Sequence, residues 1–280
     1  MVKKLKALFK EAYRKFRFRL SENNSILFIG FYKYFYSPKK DSLEEFLNAF
    51  SKNNQGRFTV FQVGANDGIT HDPIHKFIKR DKWKGVLLEP QKYVFDNFLS
   101  RIYKNNDGIH TMNAALGPKD GPGEIYRIGF TNSRWANGLS SFSKETLLEA
   151  FSSGYVKRQS DKENTIIPDN PDKWIVAEPI EILSPGTIIN RCRISSIDLL
   201  MIDAEGYDVD IIKIFFNEGI LPRVIVFEKG HLDDALVNEC NALLKSNGYY
   251  YRNAGANTVA MQLPLGRYEQ WFCQSKLVFV

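Results

Sequence analysis

A chain of 280 residues with 38 Lys and Arg against 32 Asp and Glu carries a net charge of +6, and its length suits one large domain with an appendage or two small domains. Residues 1–20 hold eight Lys or Arg and one Glu, a net +7 that leaves −1 for the rest of the chain, so composition gives no basic face to the main body and argues against nucleic acid as a partner. Cys192, Cys240 and Cys273 are odd in number and far apart, which reads as a reduced, cytosolic-type chain without disulfides.

The opening stretch, MVKKLKALFKEAYRKFRFRL, places Leu5, Leu8, Phe9, Ala12, Phe16 and Leu20 at helical spacing, with cations over much of the opposite face. It predicts a basic amphipathic helix. Two uses are open: an interfacial helix whose apolar stripe enters lipid headgroups, or a helix docked on its own domain with a solvated face. The apolar run ILFIGFYKYFY at residues 26–36 contains Lys33 and is too short to span a bilayer. Lys and Arg recur through the start without an apolar core, so it does not read as a secretory signal. Residues 1–50 are expected to form a helical extension and 51–280 the main domain, in a cytoplasmic protein whose only candidate for peripheral membrane contact is residues 1–20.

From Phe58 the chain alternates short apolar runs with amphipathic stretches, the pattern of an α/β domain with a mostly parallel sheet. Strands are predicted at RFTVFQV, GVLLEP, IHTMNAAL, SIDLLMID, RVIVFE and GYYYRNA, and TVAMQL with SKLVFV is expected to form a closing antiparallel hairpin. Helices are predicted at DPIHKFIKRD, with Asp72 as N-cap and Pro73 at the first helical position, and at QKYVFDNFLSRIY, DVDIIKIFFNEG and DDALVNECNALLKSNG. The interval between the third and fourth strands far exceeds a simple crossover. Residues 120–195 therefore read as an insertion, either an acceptor-side lid or a surface elaboration.

The turn after the first strand, Gly64-Ala65-Asn66-Asp67-Gly68, and the acid that ends the second, Glu89, carry the chemistry. Ligands of open α/β sheets sit beyond the carboxyl ends of the strands, where a glycine turn lets backbone approach closely and an acid receives the hydroxyls of a ribose. Asn66 and Asp67 occupy the place where dinucleotide binders need a second glycine, and no Gly-Lys-Ser/Thr follows. An acidic residue there disfavours pyrophosphate and favours a cationic sulfonium such as S-adenosylmethionine.

VFQVGANDG, GVLLEP, MNAALG, GLSSF, LLMIDAEGYDVDII and VIVFE occur in the order found in FkbM-type S-adenosylmethionine-dependent methyltransferases, which residues 58–262 resemble. The resemblance implies a class I methyltransferase sheet, Rossmann-like, of seven mostly parallel strands with helices on both faces, and methylation of a hydroxyl on a glycan or similar metabolite. By that resemblance Gly64, Ala65, Asn66 and Gly68 cradle the methionine and ribose portion, Glu89 holds the ribose diol, and Asn113 and Ala114 edge the adenine. Ser140 and Ser141 match a serine pair near the cofactor, while Asp203, Glu205 and Gly206 match the motif facing the transferring methyl. Gln62 departs from the acidic residue that many members carry, and keeps a hydrogen-bond acceptor without its charge.

Transfer to oxygen is an in-line displacement from a good leaving group, so the protein has to orient the acceptor and take its proton. Asp203, Glu205, Glu228 and His231 are the candidate bases, with Asp203 preferred. His71, Asp72 and His75 are set aside as metal ligands because the helix is expected to begin between the two histidines. Asp208 and Asp210 read as helix-start acids favoured by the dipole rather than as a glycosyltransferase metal motif. A non-catalytic binding module recruited by the N-terminal helix is the alternative to an enzyme, with a nucleotide-sugar glycosyltransferase third.

Overall fold

A computed structural model describes residues 2–230 and 234–273. Ten strands are present among them: β1 Thr59–Val63, β2 Lys84–Leu88, β3 Ile109–Met112, β4 Ala115–Leu116, β5 Gly121–Ile128, β6 Ile175–Leu183, β7 Leu199–Ile202, β8 Val224–Glu228, β9 Tyr249–Ala254 and β10 Asn257–Gln262. Seven form one sheet in the order β3-β2-β1-β7-β8-β10-β9, parallel except for β10, which runs antiparallel to both neighbours. The expected seven-stranded, mostly parallel architecture is what the chain adopts.

The central strands are apolar on both sides, as a sheet covered by helices on both faces requires. Val60, Leu87, Leu199 and Met201 point into a core shared with the helices α3, Leu43–Asn53, and α4, His75–Asp81, while Phe61, Val86, Leu200 and Ile202 enter the opposite core. The second core contains Phe215 and Leu244 from the helices Asp208–Asn217 and Asp234–Ser246. N-terminal to these lie α1, Val2–Glu22, and α2, Ile26–Gly30, the latter continued by a π-helical turn, Phe31–Phe35. α3 extends across position 50 and buries Phe46, Leu47 and Phe50 under the sheet.

Four expectations need correction. TVAMQL does form a closing hairpin, but with GYYYRNA: β10 pairs antiparallel with β9 around a short turn in which Gly255 takes a positive φ of 67°. SKLVFV lies outside the described residues. IHTMNAAL is two strands rather than one. β3 stays in the main sheet and β4 leaves it for a second one, because Asn113 turns its amide onto the carbonyls of Glu89 and Pro90 at 2.9 and 2.8 Å.

The third correction concerns the insertion, where no strand was expected. β5 and β6 pair along their whole length and, with β4, make a three-stranded sheet in the order β4-β6-β5. Gly121, Pro122, Gly123 and Pro179 dilute the β signal in sequence, yet Ile128 from this sheet joins Ala136, Leu147 and Val156 of three short helices in a small core of its own. The insertion is thus a packed layer over one end of the main sheet.

The predicted α4 starts later than expected. Asp72 acts as a cap, its Oδ1 accepting from the N–H groups of Ile74 and His75 at 2.8 and 3.2 Å, but helical structure begins at His75 rather than Pro73.

Candidate active site

Strand order reverses between β1 and β7, and the crevice at such a switch point is where open α/β sheets receive ligands. Gly64 and Asn66 after β1, Glu89 after β2, Ala114 after β3, Ser140 and Ser141 from the insertion, and Asp203 and Glu205 after β7 line one cavity there. Eight of the residues expected at the site therefore meet in one place, although they span 142 positions of sequence, from 64 to 205.

Gly64 is what lets the β1 turn lie against β7. Its φ is +77°, and a Cβ at this position would sit 1.8 Å from the carbonyl oxygen of Asp203. Gly64→Ala combines a left-handed backbone with a backbone clash that no side-chain movement relieves, so a loss of about 2 kcal/mol or more in unfolding free energy is expected. Urea denaturation of the variant measures it. Asn66 also takes a positive φ, 46°, which asparagine tolerates better than most residues.

Glu89 is 2% exposed. Its Oε2 accepts from the Asn66 N–H at 2.8 Å and its Oε1 from the Gln91 N–H at 2.9 Å, so one carboxylate ties the first turn to the second. Burial pushes its carboxyl up to about 7 against the pull of those two N–H groups, and the charge of Asp203 adds to the rise. An ionised carboxylate has about four lone-pair sites, and the two backbone bonds leave acceptor capacity on both oxygens.

The β7 end gathers carboxylates. Asp203 stands at the cavity rim, raised to about 7 first by partial desolvation and then by Glu228, Asp208 and Asp72. Glu205, with a positive φ of 48°, is raised to about 8 by desolvation, then by Asp203, Glu228 and Asp208. Asp208 is buried at the start of its helix, where it accepts from the N–H groups of Glu228 at 3.2 Å and Gly206 at 3.4 Å; desolvation brings it to about 6. Glu228 acts on its neighbours by charge and is not on the cavity lining. His231 lies outside the described residues.

The remaining expected residues surround the cavity without lining it. Ala65 is buried and donates its N–H to the Leu88 carbonyl at 2.8 Å. Gly68 backs onto Leu99 and Tyr103. Asn113 fixes the Glu89 and Pro90 carbonyls, as above. Asp67, expected to face the ligand, is turned onto its own loop: Oδ1 accepts from the N–H groups of Ile69 and Thr70, Oδ2 accepts from the Thr70 hydroxyl at 2.6 Å, and Arg134 Nε lies 3.6 Å away. Its charge organises the turn instead of meeting the cavity.

Gln62 and Asp72 form a pair that the sequence reading did not assemble. Gln62 is 3% exposed, and its Oε1 is buried without a partner. Its side chain hydrogen-bonds the Asp72 carboxyl, whose burial raises its pKa and whose buried Oδ2 has no further partner; neither residue is on the cavity lining. A buried acceptor without a donor is costly, and two such oxygens belong to this pair. Ser140 Oγ, on the cavity lining, is a third buried polar atom without a partner.

The histidines of the same stretch separate. His71 is exposed with a φ of 58°, whereas His75 is buried, with Nδ1 3.1 Å from the Tyr103 hydroxyl and Nε2 3.0 Å from the Ser21 hydroxyl. Burial holds the His75 ring well below the usual histidine range, hence neutral. Gln91 is another residue missed in sequence: its Nε2 donates to the Asn137 carbonyl at 2.9 Å, pinning the insertion to the β2 turn. Phe142 and Tyr207, with ring centroids 5.3 Å apart, complete the cavity wall.

The profile of the FkbM methyltransferase domain matches residues 62–251. Among solved structures, methyltransferase FkbM from Methylobacillus flagellatus KT is similar at 12% identity and a TM-score of 0.39, over 73% of this chain and 43% of that one. The chain therefore covers less than half the length of that protein. The delta-N METTL16 methyltransferase domain is similar at 10% identity and a TM-score of 0.39, over 86% of this chain and 96% of that one. The SAH-bound Podospora anserina methyltransferase PaMTH1 shows 8% identity and a TM-score of 0.32, over 85% and 86% of the two chains. None of the curated proteins compared with the chain matches it.

Proposed function

The chain belongs to the FkbM methyltransferase family, and from that premise we propose that it is an S-adenosylmethionine-dependent O-methyltransferase acting on a hydroxyl of a glycan or a similar hydroxylated metabolite. The observation that carries this reading is the cavity in which the Gly64 turn, Glu89 and the Asp203–Glu205 pair face one another.

The residues present suit the cofactor. Glu89 has acceptor capacity for the two ribose hydroxyls, and the turn after Gly64 offers backbone where a side chain would collide with Asp203. Gln62 Oε1 and Asp72 Oδ2 are unpartnered acceptors suited to the three N–H donors of the methionine ammonium. Asp72 thereby restores the negative charge that Gln62 lacks. When bound, S-adenosylmethionine supplies an electrophilic methyl on a cationic sulfur.

The chain's own part is to attract that cation, seat the acceptor and hold its proton. Four carboxyl groups, Glu89, Asp203, Glu205 and Asp208, are raised by burial and by neighbouring carboxylates, Glu228 among them, an arrangement that a nearby positive charge relieves. Asp203, raised to about 7 and on the lining, is poised near neutrality as a general base. Glu228, Asp208 and Asp72 keep its proton affinity high, and Glu205 lies on the same lining. The Phe142 and Tyr207 rings give the acceptor an apolar wall.

Calorimetric titration with S-adenosylmethionine and S-adenosylhomocysteine tests the reading; absence of heat with both overturns it. Mass spectrometry for the gain of one methylene across hydroxylated acceptors then tests the substrate class. Asp72→Asn is expected to weaken S-adenosylmethionine binding about tenfold, the scale of one charge-assisted hydrogen bond. Unchanged affinity would remove Asp72 from the ammonium site.

A further inference from the structure

Between positions 9 and 35 the surface is apolar to a degree found nowhere else among the described residues. Of the fifteen large hydrophobic side chains that are exposed there, eight fall in this stretch of 27 positions. Phe9, Tyr13 and Phe16, at 73%, 60% and 57% exposure, follow the i, i+4, i+7 spacing of one helix face on α1. Ile26, Leu27 and Phe35 on α2 and its π-helical continuation are 86%, 76% and 77% exposed.

Docking on the chain's own domain does not bury this face: the last turn of α1 is held on the main domain, while Phe9, Tyr13 and Phe16 stay exposed. At that end of the helix Ser21 meets His75, Glu22 pairs with Arg101 at 3.1 Å and Lys104 at 3.4 Å, and Phe18 packs edge-on against Phe98. Phe28 secures α2 in the same way, buried against His75 and Tyr32. Those contacts fix the two elements on the main domain and leave the aromatic and aliphatic side chains outside. The chain's positive charge is concentrated in the same part of the sequence, net +7 in residues 1–20 against −1 for all the rest. Arg19 and Lys33, on the same elements as the apolar side chains, are exposed.

We propose that α1, α2 and the π-helical turn form a docking surface for an anionic lipid bilayer, lying in its interface with the apolar side chains in the headgroup region. Apolar area and cations together are what an interfacial helix needs: the first inserts, the second is drawn to acidic headgroups. The surface rests on the interface and does not cross it, since no described helix is long and apolar enough to span a membrane. A second copy of the chain would present the same concentrated positive charge to itself, which disfavours self-association through this face.

The test is co-sedimentation of the full chain with vesicles of phosphatidylcholine alone and of phosphatidylcholine with phosphatidylserine. Binding to the acidic vesicles at low salt, falling about tenfold or more as salt screens the cations, is expected, with little binding to neutral vesicles. The triple variant Ile26→Ser, Leu27→Ser, Phe35→Ser is expected to lose about tenfold in partitioning with an unchanged circular dichroism spectrum, because all three side chains are in solvent. Phe35→Trp supplies a second measurement that leaves the apolar surface intact: its emission is expected to shift to the blue on acidic vesicles only. The proposal is overturned if the full chain stays in the supernatant with acidic vesicles at low salt, if the triple variant binds as well as the parent, if the tryptophan emission does not move, or if ultracentrifugation shows a dimer that the triple variant dissolves.

Discussion

Glu89→Gln is expected to lower affinity for S-adenosylmethionine and S-adenosylhomocysteine alike, by about 100-fold, in calorimetric titration. Before any ligand arrives, this side chain already ties two turns together. Its two oxygens accept the Asn66 and Gln91 N–H groups, and an amide reproduces only one of those acceptors, turning its NH₂ toward the other backbone donor. The turn after β1 and the turn after β2 then lose the link that sets their spacing. Two hydroxyls that would have bonded to a carboxylate also meet a neutral group, and bonds to a charged acceptor contribute about 1.5–3 kcal/mol each. One such loss with the turn disturbed accounts for about 2.7 kcal/mol, a factor of about 100. Equal weakening of both compounds is the diagnostic part, because they share the ribose and differ at sulfur. A Gln variant that binds both as tightly as the parent removes Glu89 from the ribose site and, with it, the assignment of the cofactor.

The sheet was legible because its strands are short apolar runs bounded by polar turns, and burial on both faces writes itself directly into residues such as those of VLL in β2 or LLMI in β7. The helices between them follow from amphipathic spacing. What could not be read was placement by exclusion: Pro122 and Pro179 make β5 and β6 look like loop, and only their mutual pairing shows that the insertion has a sheet of its own. Within the site, Gly64, Glu89 and Asp203 were recoverable since each ends or follows a strand. Asp72 was read as a cap, which it is, yet its second oxygen faces Gln62. Asp67 shows the converse, an acid in the expected turn whose charge is taken up by Ile69, Thr70 and Arg134. A side chain's direction is set by contacts across the fold, and nothing in local spacing records it.

Asp203→Asn is expected to reduce methyl transfer by about 10²–10⁴-fold, the range for removing a positioned general base, while the fold stays intact because Asp203 stands at the rim. The pH profile separates this from loss of binding. With Asp203 near 7 in the free protein, kcat/KM of the parent should rise with pH and level off above about 7. At saturating S-adenosylmethionine the limb of kcat should move lower, since a bound cation favours the ionised carboxylate. Asp203 raises Glu89 and Glu205, and Asp208 raises Asp203 and Glu205, so these carboxyls titrate as a coupled set and binding the cation near neutrality should release protons and become tighter between about pH 6 and 8. Binding of S-adenosylhomocysteine, which lacks the sulfonium, should change less. Stability runs the other way. Each of these carboxyls has a folded pKa above its unfolded one, so its proton-bound form contributes stability that is full below the unfolded value and is lost as pH rises through about 6 to 8. The ligand-free melting temperature should accordingly fall across that window, and Asp203→Asn should flatten the fall, because it removes a charge that raises both Glu205 and Glu89. A variant that keeps the parent's rate and its acid limb would move the base from Asp203 to Glu205, the other carboxylate on the cavity lining. The same carboxylates thus bind the cation best at the pH where they stabilise the empty fold least, and the bound cofactor offsets the repulsion that the site retains without it.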